Sequence, residues 1–237
     1  MLERMGVDVW LERGADTQAA LPAEVAAAGQ ARPDVVAAAR SDGPSAADLD
    51  WPALAAGVAA CTRCELSASR TQTVFGVGDR NARWLVIGEA PGAEEDKCGE
   101  PFVGRAGALL NAMLAAIGLA REAVFIANIL KCRPPQNRDP KPAEVSACSA
   151  YLERQIALIQ PTIILAVGRI AAQNLLKVDT PIGRMRGHLH YYGERSIPVV
   201  VTYHPAYLLR SPGEKRQAWD DLRLALATYH ECAASSP

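Results

Sequence analysis

Four short apolar runs, RWLVIG (83–88), VFIANIL (124–130), TIILAVG (162–168) and IPVVVTY (197–203), are separated by segments of helical period. A strand covered on both faces is apolar throughout, and neighbouring parallel strands need a crossover helix between them. The intervening segments supply such helices. Leu109, Leu110, Met113, Leu114 and Ile117 share one face of a helix within 107–119, and Val145, Cys148, Leu152, Ile156 and Ile159 share a face of another that Pro142 opens. A third helix follows the third strand through Leu176. The pattern predicts an α/β fold of three layers, α/β/α, with a mostly parallel central sheet and helices on both faces. Residues 184–192 are expected to form an extra hairpin arm.

The chain has 237 residues, of which 49% are hydrophobic and 22% charged, enough for one core of moderate size. Residues 1–50 are rich in Ala, Pro, Gly, Ser and Asp. Ala buries too little area to offset backbone ordering at roughly 1–2 kcal/mol per residue, so this part is expected to be a flexible extension and 51–237 the folded domain. The net charge of −1 is unevenly spread. Residues 1–56 carry nine Asp or Glu against four Arg, while the remainder carries 21 Lys or Arg against 17 acids. The basic part is compatible with a polyanionic partner without establishing one. No apolar run approaches eighteen residues and no basic start precedes one, so no membrane span is expected, and the protein is expected to be cytoplasmic.

In parallel sheets ligands bind outside the carboxyl ends of the strands. Gly88 and Glu89 end the first predicted strand, Asn128 lies near the end of the second, and His204 follows the fourth. Three polar groups far apart in sequence are thereby expected at one edge. GEAPG (88–92) makes a poor phosphate loop, lacking Lys-Ser or Lys-Thr, and its Pro-Gly pair alone signals only a turn. Glu89 at a strand tip, Glu94, Glu95 and Asp96 after it, and Phe102 in a Gly-rich stretch suit a flat ring that is stacked and bonded at its edge. Pro205 stiffens the turn after His204, and Leu208, Leu209 and Arg210 follow.

Four of the six cysteines, Cys61, Cys64, Cys132 and Cys148, follow a metal-site pattern: a Cys-x-x-Cys pair, then two more with fifteen residues between them. A reducing cytosol makes paired disulfides unusual. Zinc and a 4Fe-4S cluster both accept four thiolates, and spacing alone does not separate them. Zinc fingers and ribbons usually carry two short pairs, so the wide second pair favours the cluster. Cys98 and Cys232 are left over, and a buried free cysteine is common and inert.

In the order Cys-x-x-Cys, GEAPG, PFVGRAG (101–107), Asn128, KCRPP (131–135), Cys148 and HPAYLLR (204–210), the chain resembles the family 4 uracil-DNA glycosylases over roughly 55–230. The resemblance implies a uracil-DNA glycosylase-like α/β/α fold, a structural 4Fe-4S cluster on Cys61, Cys64, Cys132 and Cys148, and hydrolytic removal of uracil from single- or double-stranded DNA, the opening step of base excision repair. It implies that Phe102 stacks on an extruded uracil and that the Asn128 amide bonds its polar edge, beside Gly88 and Ala90. His204 then donates to uracil O2, and Glu89 positions water and stabilises the cationic sugar. Glu95 crowds out a thymine methyl, Leu208 fills the vacated stack, and Arg210 with Lys131 or Arg133 contacts phosphates. A nucleoid-associated monomer is expected.

Some positions depart from related patterns. Ala90 follows Glu89 where family 1 enzymes have Asp, and Cys98 stands where a polar residue is more usual. The Cys132–Cys148 loop has no histidine, which argues against the relative that captures the abasic site covalently. Two other readings compete: a non-catalytic nucleic-acid-binding module stapled by metal, and an iron–sulfur electron carrier.

Overall fold

The computed structural model describes residues 46–234; the expected extension before residue 46 lies outside them. Ala46 is already buried, and Arg154 Nε donates to the Leu49 carbonyl at 2.6 Å, so the last residues of the expected extension pack on the domain. Asp50 caps α1 (Trp51–Ala59) by accepting from the Ala53 N–H at 2.9 Å. The chain continues through β1 (Val77–Gly78), β2 (Trp84–Gly88), α2 (Ala93–Cys98), α3 (Arg105–Ala116) and β3 (Phe125–Asn128). It then forms α4 (Pro142–Ile159), β4 (Ile163–Val167), α5 (Arg169–Leu176), α6 (Ile182–Met185) and β5 (Leu189–Tyr192). The last elements are β6 (Ile197–Thr202), α7 (Pro205–Arg210) and α8 (Lys215–Ala234).

The sheet order is β1-β3-β2-β4-β6-β5. The four central strands are parallel, and the short edge strands β1 and β5 run antiparallel. Period-two alternation divides the strand side chains between two cores. Leu85, Ile87, Phe125, Ala127, Ile164 and Ala166 face α4 and α5; Trp84, Val86, Ile126, Ile163, Leu165 and Val167 face α3 and α8. Burial on both faces is why these runs lack polar alternation. Each fully buried Leu or Ile contributes about 1.5–3 kcal/mol.

Residues 189–192 form one strand of a hairpin whose other strand is β6. They pair with β6 from Leu189↔Val200 to Tyr192↔Ile197 and close the sheet edge, while Arg184 lies in α6. The chain leaves β2 toward β3 and leaves β4 toward β6, so connections diverge between the adjacent strands β2 and β4. This divergence opens a crevice at their carboxyl ends. Among the described residues no helix is long and apolar enough to cross a membrane.

Candidate active site

At that crevice lies a cavity of about 420 Å³, lined by Glu89, Phe102, Asn128 and His204 together with Ala90, Glu95 and Arg210. The size suits a small-molecule ligand. Each group reaches it for a local reason. Asn128 ends β3, opposite Gly88 at the end of β2, and is only 2% exposed. A Cβ on residue 88 would lie 2.5 Å from Asn128 Oδ1 and 2.6 Å from Phe102 Cζ, so glycine is what lets the amide and the ring meet. Phe102 is 6% exposed and adopts φ 53°, a left-handed conformation costly for a non-glycine residue. Gly107 leaves room for that turn, since a Cβ there would collide with the Phe102 carbonyl.

His204 caps α7. Its Nδ1 accepts from the Ala206 N–H at 3.1 Å, which leaves the neutral ring's proton on Nε2. The imidazole lies 5.5 Å from the Phe102 ring, centroid to centroid, at 29° between planes. Burial, with Arg210 adding repulsion, pushes its pKa down to about 4, so the ring is a neutral donor at neutral pH. Glu89 is half-buried at the tip of β2. Burial pushes its carboxyl up to about 7; Asp139 adds to the rise and Arg169 opposes it. A carboxylate poised near neutrality and a neutral imidazole donor therefore share one cavity. Asn128 Oδ1 has no hydrogen-bond partner although buried, a cost of about 1–3 kcal/mol, as expected of an acceptor held ready for a ligand.

Glu95 braces the walls. One carboxylate oxygen accepts from the Gly92 N–H at 3.1 Å, the other from the Val103 N–H at 3.0 Å, tying the loop after β2 to the one that carries Phe102. Asn137, Asp139 and Tyr207 also line the cavity; Tyr207 lies in the HPAYLLR segment, whereas nothing in the local sequence singles out the other two. Asn137 has φ 54° and accepts from Arg133 Nε at 2.7 Å. Arg210 is exposed at the rim. A second cavity of about 400 Å³ adjoins, shares Glu89, His204 and Arg210, and extends to Arg169, which pairs with Asp139 at 2.7 Å.

Two assignments are corrected. Leu208 is 1% exposed and packs among the apolar residues of α3 and α8, so it is not presented as a wedge. Lys131 is also 1% exposed, and its Nζ donates to the Asn128 carbonyl at 3.0 Å and to Gln155 Oε1 at 2.6 Å, out of reach of any phosphate. Burial pushes its ammonium pKa down to about 8.

Cys61, Cys64, Cys132 and Cys148 line one further pocket, whose floor includes Val58, Leu66 and Leu130. Arg70 Nη1 donates to Cys132 Sγ at 3.1 Å and the Lys131 N–H to Cys148 Sγ at 3.3 Å, donors that suit thiolate sulfur. No three His, Cys, Asp or Glu side chains among the described residues close on a point as a single ion requires. The four thiols share this one pocket, a donor type that both zinc and a 4Fe-4S cluster accept. Burial raises the Cys148 thiol to about 11.

Residues 75–223, from just before β1 into α8, match the family model described as the Uracil DNA glycosylase superfamily. The Type-4 uracil-DNA glycosylase of Archaeoglobus fulgidus is 46% identical over 173 residues, covering 70% of this chain and 86% of that protein. Its counterpart in Sulfurisphaera tokodaii is 43% identical over 173 residues, 70% of this chain and 79% of the relative. That of Thermotoga maritima is 44% identical over 153 residues, with 64% and 79% covered. With the cavity's four groups all inside the matched span, the chain belongs to the uracil-DNA glycosylase superfamily, among its type-4 members.

Proposed function

We propose that this protein removes uracil from DNA by hydrolysing the N-glycosidic bond of an extruded deoxyuridine, so opening base excision repair. The observation that carries the reading is the convergence of Glu89, Phe102, Asn128 and His204 from four separate segments on one cavity. A non-catalytic binding module would leave these groups incidental, and their convergence speaks against it.

Extrusion costs a few kcal/mol of unstacking, offset by the pocket. The uracil ring lies on Phe102, and the Asn128 side-chain amide takes its polar edge, Oδ1 accepting from N3–H. As the C1′–N1 bond breaks, the electron pair moves onto the base and negative charge collects at O2, where His204 Nε2–H donates. Positive charge builds on the sugar beside the Glu89 carboxylate. That carboxylate orients a water, takes its proton as the oxygen bonds to C1′, and the uracil anion leaves. Glu95 keeps the two loops of the pocket together; their closeness to the ring leaves little room for a methyl group. Arg210, with Arg133, faces the DNA backbone.

Cys61, Cys64, Cys132 and Cys148 would hold a 4Fe-4S cluster; when bound, it ties the segment after α1 to the loop after β3 and to α4. We further infer action on DNA as a monomer, in the nucleoid.

The test uses a uracil-containing oligonucleotide and a matched uracil-free one, incubated with the protein and treated with alkali. Cleavage is expected only at the uracil position. Because Glu89 titrates at about 7 and its ionised form is the working one, the single-turnover rate should rise with pH through about 7 and level off above. Glu89→Gln should be slow and lack this limb. No cleavage of the uracil strand, or equal cleavage of both, would sink the assignment.

A further inference from the structure

A buried cation lies between the cysteine pocket and the base pocket, where the sheet changes character. β1 pairs with β3 only at Phe125 and Ile126, so on that side the ladder stops before Asn128. On the other side β3 remains tied to β2 and the turn beyond it, through Ile129 N–H to the Gly88 carbonyl at 2.9 Å and Leu130 N–H to the Glu89 carbonyl at 3.0 Å. Asn128 is thus the residue at which β3 loses its edge partner, although it carries the side chain that faces the cavity.

Lys131 fills the gap. Its Nζ donates to the Asn128 carbonyl at 3.0 Å and to Gln155 Oε1 at 2.6 Å, and Gln155 Nε2 donates to the Phe75 carbonyl at 2.9 Å. The bridge Phe75–Gln155–Lys131–Asn128 links the segment before β1 to the tip of β3, in the stretch between the β1–β3 pairing and the main-chain bond from the Val74 N–H to the Lys131 carbonyl at 2.8 Å. Lys131 is 1% and Gln155 0% exposed. Burying an ammonium carries a desolvation penalty that pairing must offset, whereas an apolar residue of similar volume would pack at no such cost. The same residue's main-chain N–H donates to Cys148 Sγ at 3.3 Å, which fixes the lysine from its other end.

We propose that Lys131 is a positioning residue for uracil recognition: its Nζ, backed by Gln155, holds the peptide that carries Asn128 so that the amide meets the base. The proposal rests on the uracil-glycosylase reading. It makes Lys131 act through Asn128 alone, whereas a lysine that only stabilised the fold would act regardless of what occupies position 128.

A double-mutant cycle with Lys131→Met and Asn128→Ala tests this, reading single-turnover excision at saturating uracil-containing DNA, DNA affinity and thermal melting. Lys131→Met should slow excision about tenfold or more with DNA affinity unchanged, since small displacements of a positioned group carry penalties of that order. In the Asn128→Ala background the same substitution should change the rate less than twofold. An equal loss in both backgrounds, or a wild-type rate for Lys131→Met, overturns the proposal. Should Lys131→Met fail to fold, Gln155→Leu removes the other half of the bridge and carries the same expectation and the same refutation. A wild-type protein unable to excise uracil would instead refute the glycosylase reading itself.

Discussion

His204→Ala is expected to slow single-turnover uracil excision by about 10²–10³-fold, the loss seen when one preorganised donor to a developing anion is removed, or about 3–4 kcal/mol of barrier. The size follows from how the ring is held. Nδ1 is committed to the Ala206 N–H, so the Nε2 proton has a fixed direction, and burial with Arg210 pushes the pKa to about 4. The donor is therefore neutral over the working range, and the base bears its charge only as the bond breaks, so the interaction grows toward the transition state. Affinity for uracil-containing DNA should fall far less than the rate. Removing the cap of α7 should also cost about 1 kcal/mol of stability. Excision within threefold of wild type would mean that the imidazole is not the donor.

Asn128→Ala should lower excision by about 10²-fold while leaving the melting temperature unchanged or raising it. The opposite signs come from one atom. Oδ1 is buried without a partner in the DNA-free protein, so its removal relieves a desolvation penalty even as it deletes the group that reads the base. A residue kept for packing would show the reverse, a lower melting temperature with activity reduced in proportion. Thermal melts paired with single-turnover rates check both signs at once.

The parallel sheet was legible because β2, β3 and β4 are buried on both faces and so read as unbroken apolar runs. Convergence of Glu89, Asn128 and His204 was legible for the same reason: strand order matters little once all carboxyl ends share an edge. Phe102 was found by its place beside the acidic cluster, but its left-handed backbone was not, since that depends on Gly107 lying close by in space.

α8 was missed. Its buried face mixes Ala218, Leu222 and Ala225 with Asp221 and Thr228, and the buried Asp221 is made tolerable by Arg186, 2.7 Å away and 35 positions earlier in sequence. Lys131 misled in the same way: the resemblance offers it, as an alternative to Arg133, for a phosphate contact, whereas in the fold its Nζ is buried against the Asn128 carbonyl and Gln155. Leu208 reads as a wedge from the resemblance and from its place in an apolar Leu-Leu pair, yet the neighbouring faces of α3 and α8 enclose it. In each case the deciding fact is a partner distant in sequence.

The central claim, one extruded pyrimidine held among Glu89, Phe102, Asn128 and His204, is tested most directly by a crystal structure of the slow His204→Ala protein with an oligonucleotide containing a single deoxyuridine. The account predicts an unstacked uracil in the cavity of about 420 Å³, its ring parallel to Phe102 and its edge bonded to the Asn128 amide. A uracil still stacked in the helix, or seated away from these residues, would contradict it.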